Sequence, residues 1–175
     1  PQLFVPSGAI KAMAAHAYHC FPEEACGLLI GDRSLNRVAR FVATTNVAHS
    51  AKVYTIDPKE HLRAELAEYS LTHSLSELLR KTLDEAEGLT NSKIGFYHFV
   101  DDDQKNVSLQ QWSSGTIDYY CEVPDLGRHY SVDLAGVWVE CIKTKAPVIH
   151  NDYGAMENAK GLPAGHAALS RELTV

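Results

Sequence analysis

The chain has 175 residues, of which 45% are hydrophobic and 22% charged, with a formal net charge of -6. That composition fits one globular domain or two small ones with an adequate core. No apolar run approaches membrane-spanning length, and no cationic start leads into an apolar core as in a signal peptide, so a cytoplasmic protein without a membrane partner is expected. The first 70 residues are balanced in charge and the remainder carries the whole acidic excess, which hints at two units and argues against a nucleic-acid partner. The four cysteines form no C-x-x-C pair, which argues against a zinc ribbon or disulfide scaffold and favours reduced, mostly buried thiols.

In chain order, Leu3 to Val5 alternates as a short strand, and Ser7 is the expected N-cap of a helix with Ile10, Met13, Ala14 and Ala17 on its apolar face. That helix should end before Phe21-Pro22. Strands are expected over Cys26–Ile30, Arg37–Ala43 and Val53–Ile56. Pro58 sits in the first turn of a second helix carrying Leu62, Leu66 and Tyr69. The run Ser74-Leu75-Ser76-Glu77 is a capping box for a third helix, with Leu75, Leu78, Leu79, Leu83 and Ala86 inside and an end near Gly88. No Pro or Gly separates the second and third helices, so they could fuse. A hairpin follows, Ile94–Val100 and Val107–Trp112 around an Asp-rich turn. Beyond it come a short helix or loop at Gly115–Cys121, a turn-rich loop at Pro124–Tyr130, a helix at Gly136–Lys143, a strand at Val148–His150, a polar loop at Asn151–Gly165 and a last strand at Glu172–Val175.

Pro22-Glu23-Glu24-Ala25-Cys26-Gly27-Leu28-Leu29-Ile30-Gly31 is the most informative run. A carboxylate at Glu24 directly precedes a small, apolar strand. Such an acid at the edge of a dry site would suit proton transfer; the plainer reading is a solvated turn entering a core strand. With Met13-Ala14-Ala15-His16-Ala17, Asn46-x-x-x-Ser50 and Tyr54-x-Ile56-Asp57-Pro58, the run resembles the N-terminal half of the JAB/JAMM/MPN zinc metalloproteases and deubiquitinases over residues 1–68. The resemblance implies Glu24 as general base on a zinc-bound water. The family's H-x-H metal pair occurs nowhere in the chain; after the second helix stands Ser70-Leu71-Thr72-His73-Ser74 instead. Hence no metal ligand is assigned, no cofactor is assignable, and zinc belongs only to an alternative enzymatic reading. His16 and His19 could share a helix face, but their aromatic and thiol neighbours point as well to a buried or capping role.

From Ser70 onward the words differ. Ser92-Lys93-Ile94-Gly95-Phe96-Tyr97-His98-Phe99-Val100, Leu109 to Ser113, Ala135-Gly136-Val137-Trp138, Pro147 to Tyr153 and Gly161-x-Pro163-x-Gly165-His166 resemble the GAF domain of sensor proteins over residues 69–175, short of its last strands. Trp112 and Trp138 supply apolar surface, while His150, Asn151, Asp152, Tyr153 and His166 supply polar groups on loops. Together they are the candidate small-molecule site. The other reading makes both tryptophans core and His150-Asn151-Asp152 a self-capped strand end. His98 reads as a satisfied core histidine, and Cys141 as a buried helix-face thiol.

The expected architecture is therefore mixed α/β (α+β), with two small mixed or antiparallel sheets and flanking helices joined through helical sequence, and unpaired strand edges that favour a homo-oligomer. The expected function is a non-catalytic sensory, small-molecule-binding or interaction module. The alternatives are a zinc metallopeptidase using Glu24 and a recombined or engineered chimera.

Overall fold

A computed structural model describes residues 2–120, 129–156, 159 and 168–175. The chain divides between Thr72 and His73 into two compact units. The mixed α/β class and the antiparallel sheets are as expected; the second unit holds two sheets, so the described residues form three in all.

The first unit contains α1 (Ser7–Cys20), β1 (Cys26–Asp32), β2 (Arg37–Thr44) and α2 (Pro58–Ser70). Strands β1 and β2 form an antiparallel ribbon with a bulge between Ile30 and Gly31, and β1 runs two residues past the expected strand end at Ile30. At Gly31 a Cβ would strike the backbone of Arg37 and Val38, which explains why glycine sits at the bulge. The Leu3–Val5 strand reduces to one parallel bridge, Phe4 to Arg37.

Three expectations fail in this unit. Pro6, not Ser7, occupies the N-cap of α1, and no side chain caps that end. The face of α1 named from spacing turns outward, with Ile10 54% exposed, Met13 38% exposed, and Ala14 and Ala17 also in solvent. The side that packs carries Ala9, His16 and Cys20 instead, because His16 Nε2 lies 3.1 Å from the Cys26 carbonyl and 3.3 Å from that of Thr44. A polar anchor reaching both strands thus outweighs hydrophobic count in setting the rotation of the helix. Val53–Ile56 is not a strand; it meets the rest of the sheet through a single bridge, Asn46 to Ile56. Helix α2 starts as read, with the Asp57 carboxylate accepting from the Lys59 amide at 2.8 Å and Pro58 leading. The Glu60 carboxylate ties α2 back to β2 by accepting from Thr45, 2.6 Å at the amide and 3.0 Å at the hydroxyl.

The second unit begins with α3 (Leu75–Thr90). The capping box is present: the Glu77 amide donates to Ser74 Oγ at 3.4 Å, and the Ser74 amide donates to Glu77 Oε2 at 2.8 Å. This cap starts a new helix, so α2 and α3 are separate rather than fused. Gly88 lies within α3, which ends instead on Asn91 in the left-handed conformation at φ 51°. Leu83 is buried and Leu78 and Leu79 half-buried as expected, whereas Leu75 and Ala86 are exposed.

The expected hairpin is β3 (Phe96–Val100) with β4 (Asn106–Trp112), and β5 (His129–Ser131) adds a third antiparallel strand where a loop was expected. A π-helical turn spans Thr116–Tyr120. The helix expected over Gly136–Lys143 is a 3-10 turn, Val137–Val139, running into the short α4 (Glu140–Thr144). Strands β6 (Val148–His150) and β7 (Glu172–Thr174) pair antiparallel. The core gathers Val107, Val132 and Val139, with Ala135, Trp138 and Ile142 packed against them.

A polar network fastens α3 to the end of β4. Ser113 Oγ donates to Glu87 Oε1 at 2.5 Å, and the Ser114 amide and hydroxyl donate to Asp84 at 2.8 and 2.9 Å. Ser113 and Thr116 are fully buried, and every bond here meets a partner, as buried hydroxyls require. Among the described residues, no helix is long and apolar enough to cross a membrane.

Candidate functional site

Glu24 lies in the segment before β1, and its side chain is exposed. The dry setting expected for it is absent, and the solvated-turn reading fits. What is built around Glu24 is its backbone. Its amide donates to the Ser50 carbonyl at 2.8 Å, and its carbonyl accepts from Asn46 Nδ2 at 2.9 Å. Asn46 is 6% exposed, and its amide also donates to the carbonyls of Val53 and Ser50 while its Oδ1 accepts from the amides of Ala48 and Thr55. The Asn46-x-x-x-Ser50 spacing is thus a loop lock that fixes where Glu24 leaves the fold.

The histidines near this segment have other duties. His49 pairs with Glu23 at 3.3 Å on the surface. The Nε2 of His16 faces two carbonyls and so carries the ring hydrogen, while Cys20 Sγ sits 3.6 and 3.7 Å from the two ring nitrogens. That spends the ring on holding α1 to the ribbon, which corrects the idea of a shared His16/His19 metal face. Among the described residues, no three His, Cys, Asp or Glu side chains are grouped so as to hold a metal ion.

In the second unit the two tryptophans converge on Phe96. Trp112 stands opposite Phe96 in the β3–β4 ladder, with ring centroids 5.9 Å apart and edge-to-face. Trp138 meets Phe96 edge-to-face at 5.5 Å and lies 4.5 Å from the His98 ring at a 31° tilt. All four rings are only half-buried. Burial lowers the His98 pKa from 6.5 to about 4, so its ring is neutral at pH 7 and stacks without a charge. Trp112 Nε1 is buried and has no hydrogen-bond partner among the described residues. An orphaned indole N–H is unusual, because buried donors nearly always find an acceptor.

The polar candidates divide. Asn151 and Asp152 are exposed and point no group into the aromatic cluster that a bond records. His150 and Tyr153 turn inward: Tyr153 is 6% exposed, and His150 sits between two carboxylates, Nδ1 3.2 Å from Glu172 and Nε2 3.4 Å from Glu140. His166 lies outside the described residues, as do Cys121 and the whole of Gly161–Gly165. A shallow cleft open to solvent is lined by Val100, Asp101, Asp102, Gln104, Ile142 and Lys145, and none of the expected ligand residues belongs to it. Phe96, Glu140 and Glu172 are the participants that sequence reading missed. Phe96 had a usable signal, since alternation along β3 puts it on the face of His98. The two glutamates had none: Glu172 lies 22 residues from His150, and nothing in the short link between α4 and β6 shows that Glu140 folds back onto the ring.

Comparison with known proteins assigns both halves. The model of prokaryotic homologues of the JAB domain matches residues 6–98, and the GAF domain model matches 72–175, so the two overlap over 72–98. A methyl sulfide methyltransferase-associated sensor of Methanosarcina acetivorans is 33% identical over 103 residues, which are 58% of this chain and 10% of the sensor. The CysO-cysteine peptidases of Mycobacterium tuberculosis and Mycobacterium bovis are 36% identical over 61 residues, 35% of this chain and 42% of the peptidase. The chain therefore spans a small part of the first relative and under half of the second. No solved structure gives a significant match. Each family model covers more than half of the chain, which thus belongs to the prokaryotic JAB homologues over residues 6–98 and to the GAF domain family over residues 72–175.

Proposed function

We propose that the chain is a non-catalytic sensory module whose GAF domain binds a small molecule at the cluster of Phe96, His98, Trp112 and Trp138. The observation that carries this reading is the Trp112 indole N–H, buried without an acceptor beside half-exposed aromatic faces. Leaving such a donor unmet costs about 1–3 kcal/mol, and a ligand acceptor would remove that cost once the half-exposed rings beside it part to admit it. The sensor relative supports the same direction by its name.

Zinc peptidase chemistry is the opposing reading, favoured by the JAB match and the peptidase relatives. Zinc does not fit the donors present: Glu24 stands in solvent, His16 is committed to backbone carbonyls, and the sequence has no H-x-H pair. Catalytic zinc takes three protein ligands as a rule.

Titration with the fluorescent probe anilinonaphthalene sulfonate, read by energy transfer from tryptophan, tests the site. Saturable binding that weakens roughly tenfold in Trp112→Phe, with Glu24→Gln unchanged, is the expected result. Stoichiometric zinc in protein purified after zinc supplementation, together with amide hydrolysis lost in Glu24→Gln, would overturn the reading.

A further inference from the structure

Glu140 opens α4, His150 closes β6 and Glu172 opens β7, and their side chains meet. His150 Nδ1 is 3.2 Å from Glu172 Oε2, and Nε2 is 3.4 Å from Glu140 Oε2. The side chains of His150 and Glu172 are 12% and 8% exposed, whereas that of Glu140 is 45% exposed. A neutral imidazole has one N–H, so its other nitrogen would aim a lone pair at a carboxylate. Both contacts are attractive only when the cluster holds an extra proton, on the ring or on a carboxyl.

We propose that Glu140, His150 and Glu172 form a proton-dependent clasp joining α4, β6 and β7, closed while the cluster keeps that proton and loosened when the proton leaves. Among the described residues, the groups facing His150 are Glu140 from α4 and Glu172 from across the β6–β7 ladder, and the phenol of Tyr153 from the following turn senses the Glu172 charge. Lys143, Asp152 and Arg171, the nearest charged residues along these elements, are exposed. Burial raises the Glu172 pKa, Glu140 adding to the rise and His150 opposing it. Burial and the Glu172 charge raise that of Tyr153, so the phenol stays neutral and takes no part. The sign follows from Glu172: its raised carboxyl keeps a proton that the unfolded chain gives up more readily, so the clasp contributes at low pH and its contribution is lost as pH rises. Glu140 is two residues from Trp138, and an open clasp frees the turn that seats Trp138 against His98. This last step rests on the aromatic cluster being the ligand site; the clasp itself does not.

Nitrogen NMR of the His150 ring and hydrogen exchange of the β6 and β7 amides, in the full chain from about pH 6 to about pH 9, test the clasp. Amide protection, corrected for intrinsic exchange, is expected to fall about tenfold as the cluster loses its proton, which the ring nitrogen signals and the Glu140 and Glu172 carboxyl carbon signals together locate. Glu140→Gln should flatten that fall, because an amide can donate to the deprotonated nitrogen. No change of protonation at the ring or at either carboxyl, pH-independent protection, or an undiminished fall in Glu140→Gln would overturn the proposal. Should that variant not fold, the protonation of the cluster in the unsubstituted chain decides. Anilinonaphthalene sulfonate affinity over the same range reads the coupling to Trp138 separately: unchanged affinity with a titrating cluster sinks the coupling and leaves the clasp.

Discussion

The two units treat polar groups in opposite ways. In the first, the one carboxylate with a chemical pedigree, Glu24, stands in solvent, and the buried polar work goes to Asn46, which ties backbone to backbone. In the second, titratable side chains themselves are taken inside: His98 among aromatic rings, Glu172 against His150, Glu87 against Ser113. A unit built the first way should be sensitive to the loss of a single amide. A unit built the second way should register every proton that its interior gains or loses.

Asn46→Ala is the hardest test of the first half of that contrast. It removes partners from carbonyls of Glu24 and Val53 and from amides of Ala48 and Thr55, and should cost roughly 4 kcal/mol in urea unfolding of the first unit. A loss below about 1 kcal/mol would mean that the loop is held by something else. The second half turns on His98. Its folded pKa of about 4 lies below the ordinary 6.5, so its contribution is complete above pH 6.5 and is lost as pH falls toward 4. Acidification should weaken the second unit by up to ~3 kcal/mol, and His98→Leu should flatten this limb. The His98 contribution is lost as pH falls and that of the proposed Glu140–His150–Glu172 clasp as pH rises, so the opposite signs of the two responses separate the two devices. The mildest test is Ser74→Ala, which removes half of the capping box and should cost about 1 kcal/mol, seen as faster exchange in the first turn of α3. Because the Ser74 bonds hold the Glu77 carboxyl below its usual range, the cap should also weaken as pH falls through that range.

Much of the fold could be read in advance, and the misses share a cause. Helix α2 and the start of α3 were legible because Asp57-Pro58 and Ser74-Leu75-Ser76-Glu77 act within one turn of themselves. The β3–β4 hairpin was legible from alternation around an Asp-rich turn. The rotation of α1 was not: counting apolar residues favours Ile10 and Met13, whereas the helix is oriented by His16 reaching carbonyls 10 and 28 residues away. Strand β5 was missed because its ladder partner lies at Asn106–Ser108 and its own three residues carry no alternation. Of the candidate site, Trp112 and Trp138 were legible as large apolar surfaces, but their meeting on Phe96 was not.

The sequence by itself determined the two family memberships, the capped helices and the absence of an H-x-H pair, because each is a matter of residue type at short spacing. Only the tertiary structure decided that Glu24 faces water, that the Trp112 N–H is orphaned and that His150 stands between two glutamates. Each of these depends on which distant elements pack together, and burial, which sets the behaviour of a charge, is a property of that packing alone.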